Sequence, residues 1–205
     1  MVLDAVGKEA QLAEFYLTGG TALAAYYFHH RFSEDLDFFI FEEPDKIFLH
    51  SFTEKLKTIF NADSMRFERL YDRNQFFFHF GHEELKVEFT RYPFKQFEEP
   101  AVQNGVKIDS LRDIAANKLM ALLDRFDPKD FVDMFYILRE FKLEDLRLDV
   151  EQKFGITVGN IFLGGEIAKA RRIEALPKML KPLTKETLKE FFANEARKRG
   201  DEVVE

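Results

Sequence analysis

The chain has 205 residues, 46% hydrophobic and 33% charged, which suits one large domain or two small ones built around a packed core. A formal net charge of −7 argues against a broad, non-specific grip on nucleic acid, because such binding depends on neutralising phosphates; a local basic groove stays open. Without cysteine there is no disulfide, thiolate metal site or cysteine nucleophile; no apolar run reaches membrane-spanning length, and the opening MVLDAVGKEAQ lacks signal-peptide form, so a cytoplasmic location without a membrane partner is expected.

Residues 4–15 read as a short amphipathic helix with Ala5, Leu12 and Phe15 as packing positions. Phe15, Tyr16 and Leu17 also read as a short apolar strand leading into Gly19-Gly20-Thr21, after which Thr21 to His30 is helical. Small residues at such a turn let a phosphate approach backbone N–H groups. His29 and His30 are neighbours and do not share a helix face, so they read as helix-end residues rather than metal ligands.

The next strand carries Asp35 and Asp37, followed by the apolar run Phe38 to Phe41. Side chains at i and i+2 of a strand point the same way, about 7 Å apart, so the two carboxylates can converge on one or two divalent ions. An isolated Asp-x-Asp is commonly a solvated strand end. Its position after a glycine turn is what suggests a metal held beside a phosphate.

Asp45 to Phe60, after Pro44, has Ile47, Phe48, Phe52, Leu56 and Ile59 at helical spacing. Residues 65–92 switch to three strand-like runs separated by turns near Asp72-Arg73-Asn74 and Gly81-His82-Glu83, the pattern of an antiparallel meander. In the third run Leu85, Val87 and Phe89 face one way while Lys86, Glu88 and Thr90 face the other. Taken alone, Glu88 would be an exposed glutamate on a half-buried strand. Tyr92 to Gly105 is irregular and reads as a hinge, and Val106 to Ile108 as a short strand.

From there the chain is helical. Ser110 with Asp113 suggests a capping box for a helix to about Arg125, and Asp127-Pro128 places a cap and an N1 proline before the next helix. Leu143 to Phe154, Ile156 to Ala170 and Thr184 to Arg199 are further helical stretches, with Pro177 and Pro182 bracketing a linker. Basic clusters at Lys169, Arg171 and Arg172, at Lys178 and Lys181, and at Arg197 to Arg199 are more often solvated helix faces than binding sites.

Gly19-Gly20-Thr21 followed by Arg31-x-Ser33-x-Asp35-x-Asp37-Phe38 resembles the signature of the AbiEii/AbiGii-type nucleotidyltransferases. These belong to the polymerase-beta-like nucleotidyltransferase superfamily and are often the toxin half of bacterial toxin–antitoxin pairs. Asp113-x4-Lys118 and Arg125-x3-Lys129-Asp130-x2-Asp133 resemble the same family's lysine and Lys-Asp pair on consecutive helices. The resemblance implies an α+β fold: a core with a mixed or antiparallel sheet flanked by helices over 1–105, then a helical C-terminal domain over 106–205.

It also implies an enzyme that moves a nucleoside monophosphate from an NTP to an acceptor hydroxyl with Mg²⁺, or Mn²⁺ in its place. Asp35, Asp37 and Glu88 would hold the metal, and a glutamate at that third position departs mildly from the more typical aspartate. Gly19, Gly20 and Thr21 would seat phosphates, with Arg31 and Ser33 steering phosphates or bracing the aspartate strand. Lys118 would neutralise the triphosphate; Asp130 would orient it, serve as a base or read the nucleotide, with Arg125, Lys129 and Asp133 of lower rank. Implied partners are an NTP, a tRNA acceptor and a cognate antitoxin. The alternatives are an inactive nucleotide-binding or protein-interaction module, and an enzyme that modifies a protein.

Overall fold

The apolar run after Asp37 forms β2 (Leu36–Ile40), at the centre of a seven-stranded sheet in the computed structural model, which describes residues 2–201. On one side β2 pairs antiparallel with β1 (Tyr16–Thr18), placing Thr18 opposite Asp37. On the other it pairs parallel with β5 (Glu83–Arg91), placing Glu88 opposite Asp37. β4 (Arg73–Phe80) and then β3 (Ser64–Leu70) extend the sheet beyond β5 as the expected antiparallel meander. β7 (Val106–Ile108) lies parallel to β1, and β6 (Ala101–Gln103) closes the other edge. β6 falls within the stretch read as irregular, three exposed residues too short to show an alternation.

Phenylalanine fills the core of this sheet unit. Phe38, Phe76, Phe78 and Phe89 are fully buried, and Phe38 stacks on Phe89 with ring centroids 5.4 Å apart. Phe15 meets the same Phe89 edge-on at 5.3 Å, a favourable quadrupole arrangement. Covering them is α3 (Lys46–Phe60), begun by Asp45, whose side chain accepts from the Phe48 amide at 3.0 Å, and ended by Asn61 in the left-handed conformation. Its buried stripe is Leu49, Phe52, Thr53 and Leu56; Ile47 and Ile59, expected to pack, are 84% and 63% exposed.

The expected single helix over residues 4–15 is instead α1 (Val2–Gly7) and a 3-10 turn at Ala10–Leu12. The break falls at Gly7, a poor helix residue whose β-position is taken by the Asn104 carbonyl. The glycine turn opens α2 (Gly19–Ala22), so helix begins two residues before Thr21.

The chain forms two compact units. The sheet unit comprises the segment up to Ala22 with Ser33–Ser110; the helical unit comprises Leu23–Phe32 with the chain from Leu111 onward. In the helical unit Leu23–Phe28 is a π-helix, followed along the chain by α4 (Leu111–Asp124), α5 (Pro128–Ile137) and α6 (Leu143–Phe154). α7 (Asn160–Ile167), a 3-10 turn (Ala168–Arg172) and α8 (Lys185–Asp201) complete it. α6 has the expected bounds, and α7 starts four residues later than expected. Asp127 caps α5, accepting from the Lys129 amide at 2.8 Å, with Pro128 in its first turn. Asp113, read as a capping partner, is buried and bonded to Lys153 Nζ at 2.7 Å. The core contains Ile114, Leu119, Phe131, Met134, Leu146, Val150 and Phe192, with Phe131 edge-on to Phe192 at 5.3 Å. The α+β class with a helical C-terminal half is as expected. Among the described residues no helix is long and apolar enough to cross a membrane.

Candidate functional site

In the sheet unit, strand pairing sets Asp37 on β2 beside Glu88 on β5, and Asp35 immediately precedes β2. All three carboxylates converge on one ammonium, that of Lys86. Its Nζ lies 3.8 Å from Asp35 Oδ2, 3.4 Å from Asp37 Oδ1 and 3.3 Å from Glu88 Oε2. Alternation along β5 puts Lys86, Glu88 and Thr90 on the same face. The alternation carries that signal for Lys86 as plainly as for Glu88; what it does not carry is that a lysine would sit among carboxylates.

Exposure grades across the three acids. The Asp35 side chain is 49% exposed, Asp37 23% and Glu88 2%. Glu88 is not the exposed glutamate that its strand alone suggested. It accepts from Arg73 Nε at 2.6 Å and Nη2 at 2.8 Å, from Gln75 Nε2 at 2.8 Å and from the Thr90 hydroxyl at 2.7 Å. Burial pushes its carboxyl up, but the hydrogen bonds from Arg73 and Gln75 and the charges of Arg73 and Lys86 prevail, leaving it at about 2. Asp37 shifts the other way: burial raises it, Lys86 offsets part of that, and the charges of Glu88 and Asp35 raise it further. Burial lowers Lys86, and the three surrounding carboxylates more than reverse this.

Gly19 has φ +70°, a left-handed conformation, and turns the chain from β1 into α2. The Thr21 hydroxyl donates to the Asp35 carbonyl and lies 2.9 Å from the Ser33 hydroxyl, tying the start of α2 to the segment that presents Asp35. Thr18, opposite Asp37, donates to buried Asp109 at 2.7 Å, and Gln96 donates to the other oxygen of Asp109 at 2.9 Å.

The helical unit holds a second cluster, centred on Asp133. Arg31 grips that carboxylate with both prongs, Nε to Oδ1 at 2.6 Å and Nη2 to Oδ2 at 2.7 Å. His30 Nε2 donates to Oδ1 at 2.8 Å, and Lys118 Nζ lies 2.7 Å from Oδ2. Lys118 also bonds Asp130 Oδ1 at 2.8 Å, while Arg125 Nε donates to Asp130 Oδ2 at 3.0 Å. The i, i+3 spacing of Asp130 and Asp133 on α5 aims both acids at one lysine. Burial raises the Asp133 carboxyl, yet Lys118, Arg31 and His30 bring it far below the usual carboxylate range. Burial likewise disfavours charge on Lys118 and Arg31, and the aspartates around them reverse this.

Asp133, expected to matter less than Asp130, is the acid at the centre of the cluster, and His30, expected as a helix end, is one of its partners. His30 is fully buried against an acid 103 positions away, and no local pattern encodes that. Arg31, read as steering phosphates or bracing, has Asp133 as its partner. The C-terminal basic clusters are partly neutralised: Lys169 pairs with Glu166, Lys198 with Glu195, and Arg199, largely buried, with Glu144 at 2.8 Å.

Among the described residues no three His, Cys, Asp or Glu side chains stand in metal-ligating geometry. Asp35, Asp37 and Glu88 nevertheless supply hard oxygen donors around one cation, the chemistry that Mg²⁺ and Mn²⁺ require. By its chemistry the donor set suits a divalent ion, and the Lys86 ammonium lies among the same oxygens.

A family model described as nucleotidyl transferase AbiEii toxin, type IV toxin–antitoxin system, matches residues 2–203. An uncharacterised protein of Aquifex aeolicus is 33% identical over 147 residues, 69% of this chain; the match spans 66% of that protein's length, just under two thirds. A Helicobacter pylori chain assigned as a nucleotidyltransferase superposes with a TM-score of 0.65 at 18% identity, covering 98% of this chain and 92% of its own. MenT4, a nucleotidyltransferase toxin of Mycobacterium tuberculosis, gives 0.53 at 14% identity, covering 97% and 85%. At such identities the likeness is one of fold.

Proposed function

Since the chain belongs to the AbiEii nucleotidyltransferase toxin family of type IV toxin–antitoxin systems, we propose that it transfers a nucleoside monophosphate from an NTP to an acceptor hydroxyl. The new bond joins the acceptor oxygen to the α-phosphorus, and the acceptor's hydroxyl proton passes to solvent. The bond to the bridging oxygen breaks, and pyrophosphate leaves with that electron pair. The observation that carries the reading is the convergence of Asp35, Asp37 and Glu88 on a single cation.

These three residues would hold Mg²⁺, or Mn²⁺, which would supply charge neutralisation on the triphosphate and alignment of the attacking and leaving oxygens. Gly19, Gly20 and Thr21 bring backbone close to the terminal phosphates, with Ser33 holding Thr21 in place. By the family resemblance Lys118, held by Asp130 and Asp133 within the helical unit, would neutralise the charge that develops as pyrophosphate leaves. Arg31 contributes by fixing Asp133. The proposed acceptor is a tRNA, the proposed partner an antitoxin protein, and the proposed location the cytoplasm. Membership in a type IV toxin–antitoxin family supports the antitoxin partner.

The test is incubation of the purified protein with Mg²⁺, each α-labelled NTP in turn and total tRNA, with Asp37→Asn as control. Label on tRNA with the unaltered protein alone supports the proposal and identifies the nucleotide. Label on a protein redirects the reading to a protein-modifying enzyme. NTP binding without any label points to a nucleotide-binding module. Transfer by Asp37→Asn at the normal rate would falsify the metal-dependent mechanism.

A further inference from the structure

Three carboxylates packed together need a cation whether or not a metal is present, and this chain carries one of its own. Arg73 pairs with Glu88 alone among the three acids, through both prongs of its guanidinium. Lys86 is the cation common to all three, within 4 Å of each. Divalent ions bind carboxylate oxygens at about 2.0–2.6 Å. An ammonium at its present distances from the same oxygens would then stand against a double positive charge beside the buried Glu88 carboxylate, where screening is weaker than in water. The two cations exclude each other. Lys86 can leave: its side chain is 17% exposed, and its four-carbon stem is flexible with a strongly hydrated head.

We propose that Lys86 is a resident counter-cation that occupies the divalent-ion position in the metal-free protein and competes with the ion for Asp35, Asp37 and Glu88. This rests on the metal-dependent reading above and adds a residue to it. Two consequences follow. The sheet unit keeps its acids neutralised without metal, so it folds in metal-poor conditions. The apparent metal affinity is weaker than the three carboxylates alone would give, because the metal-competent state is populated only when Lys86 has swung away.

The test uses the full chain with Mn²⁺ as probe, its binding followed by the electron paramagnetic resonance of free Mn²⁺ and its thermal unfolding recorded in EDTA and in Mn²⁺. Lys86→Met keeps the apolar stem and removes the charge; Lys86→Arg keeps a charge. Lys86→Met is expected to bind Mn²⁺ about tenfold tighter or more, as expected if the lysine occupies the site most of the time. It is also expected to melt lower than the unaltered protein in EDTA and to recover in Mn²⁺. Lys86→Arg, with its cation retained, should bind Mn²⁺ no tighter than the unaltered protein.

If Mn²⁺ binding depends on Asp37 but is unchanged or weakened in Lys86→Met, the competition is overturned and the metal reading stands. Tightening by Lys86→Arg equal to that by Lys86→Met would also overturn it, since charge would then be irrelevant. Binding by Lys86→Met and none by the unaltered protein would support mutual exclusion while overturning metal-dependent transfer in this chain. Absence of binding in both defeats both.

Discussion

Gly19 leaves no room for a side chain beside Asp37: a β-carbon on Gly19 would stand 2.9 Å from Asp37 Oδ2, and Gly19 already holds a φ of +70°. The glycine turn and the aspartate strand are thus fitted to each other as well as separately suited to phosphate and metal. Gly19→Ala would add a side chain in a left-handed conformation, costing about 1–2 kcal/mol, and would push the Asp37 carboxylate aside. Denaturant melts should show the first effect and weakened Mn²⁺ binding the second. A variant with unaltered melting and Mn²⁺ affinity would show that the contact is immaterial.

The fork that Arg31 places on Asp133 should not be replaceable by a point charge. Arg31→Lys keeps the charge but cannot make both short bonds, and about 1–3 kcal/mol of stability should be lost. Arg31→Met, which strips a buried acid of a partner, should cost about 3–5 kcal/mol. Urea unfolding monitored by far-ultraviolet circular dichroism measures both. Equal midpoints for Arg31→Lys and the unaltered protein would count against a role for bidentate geometry.

Acid should unfold the helical unit through Asp133. Its native carboxyl binds a proton less readily than the ordinary carboxyl, whose pKa is 3.8, because Lys118, Arg31 and His30 outweigh burial. The stabilisation is therefore fully present above the ordinary value and is lost as pH falls below it toward the much lower native one. Urea melts from pH 6 down to pH 3 should show a steep acid limb in the unaltered protein. Asp133→Asn, less stable at neutral pH, should show a flatter one. Parallel limbs would assign the acid sensitivity to other groups.

On α3 the two sides of the helix should respond differently to substitution. Leu49 is 1% exposed, and Leu49→Ala should cost about 2–5 kcal/mol through lost burial and the cavity left behind. Ile47, 84% exposed, should tolerate Ile47→Lys within about 0.5 kcal/mol. Comparable losses at both positions in thermal melts would mean that Ile47 is covered in solution.

Much of the secondary structure was legible because it is locally encoded. The meander of β3, β4 and β5 follows from alternation and turn residues, and Asp127-Pro128 announces α5. The stripe on α3 was misplaced because two apolar arcs share Phe52 and Leu56, and spacing alone does not choose between Ile47 with Ile59 and Leu49 with Thr53. Residues 4–15 were joined into one helix because the constraint at Gly7 comes from the Asn104 carbonyl, remote in the chain. For the candidate site, Asp35, Asp37 and the face shared by Lys86 and Glu88 lie in short strand patterns. The role of Lys86 depends on which strand pairs with β2.

By itself the sequence determined the family signature, the order of most strands and helices, and which acids lie on which strand faces, because these are properties of a few neighbouring residues. Only the tertiary structure decided what each charged group meets. Parallel pairing of β2 with β5 brought Lys86 to Asp35 and Asp37, and the folding of the helical unit brought His30 and Arg31 to an acid more than a hundred positions away. Charge interactions act through space with strong dependence on distance and burial, and neither quantity is written in the spacing of residues along a chain.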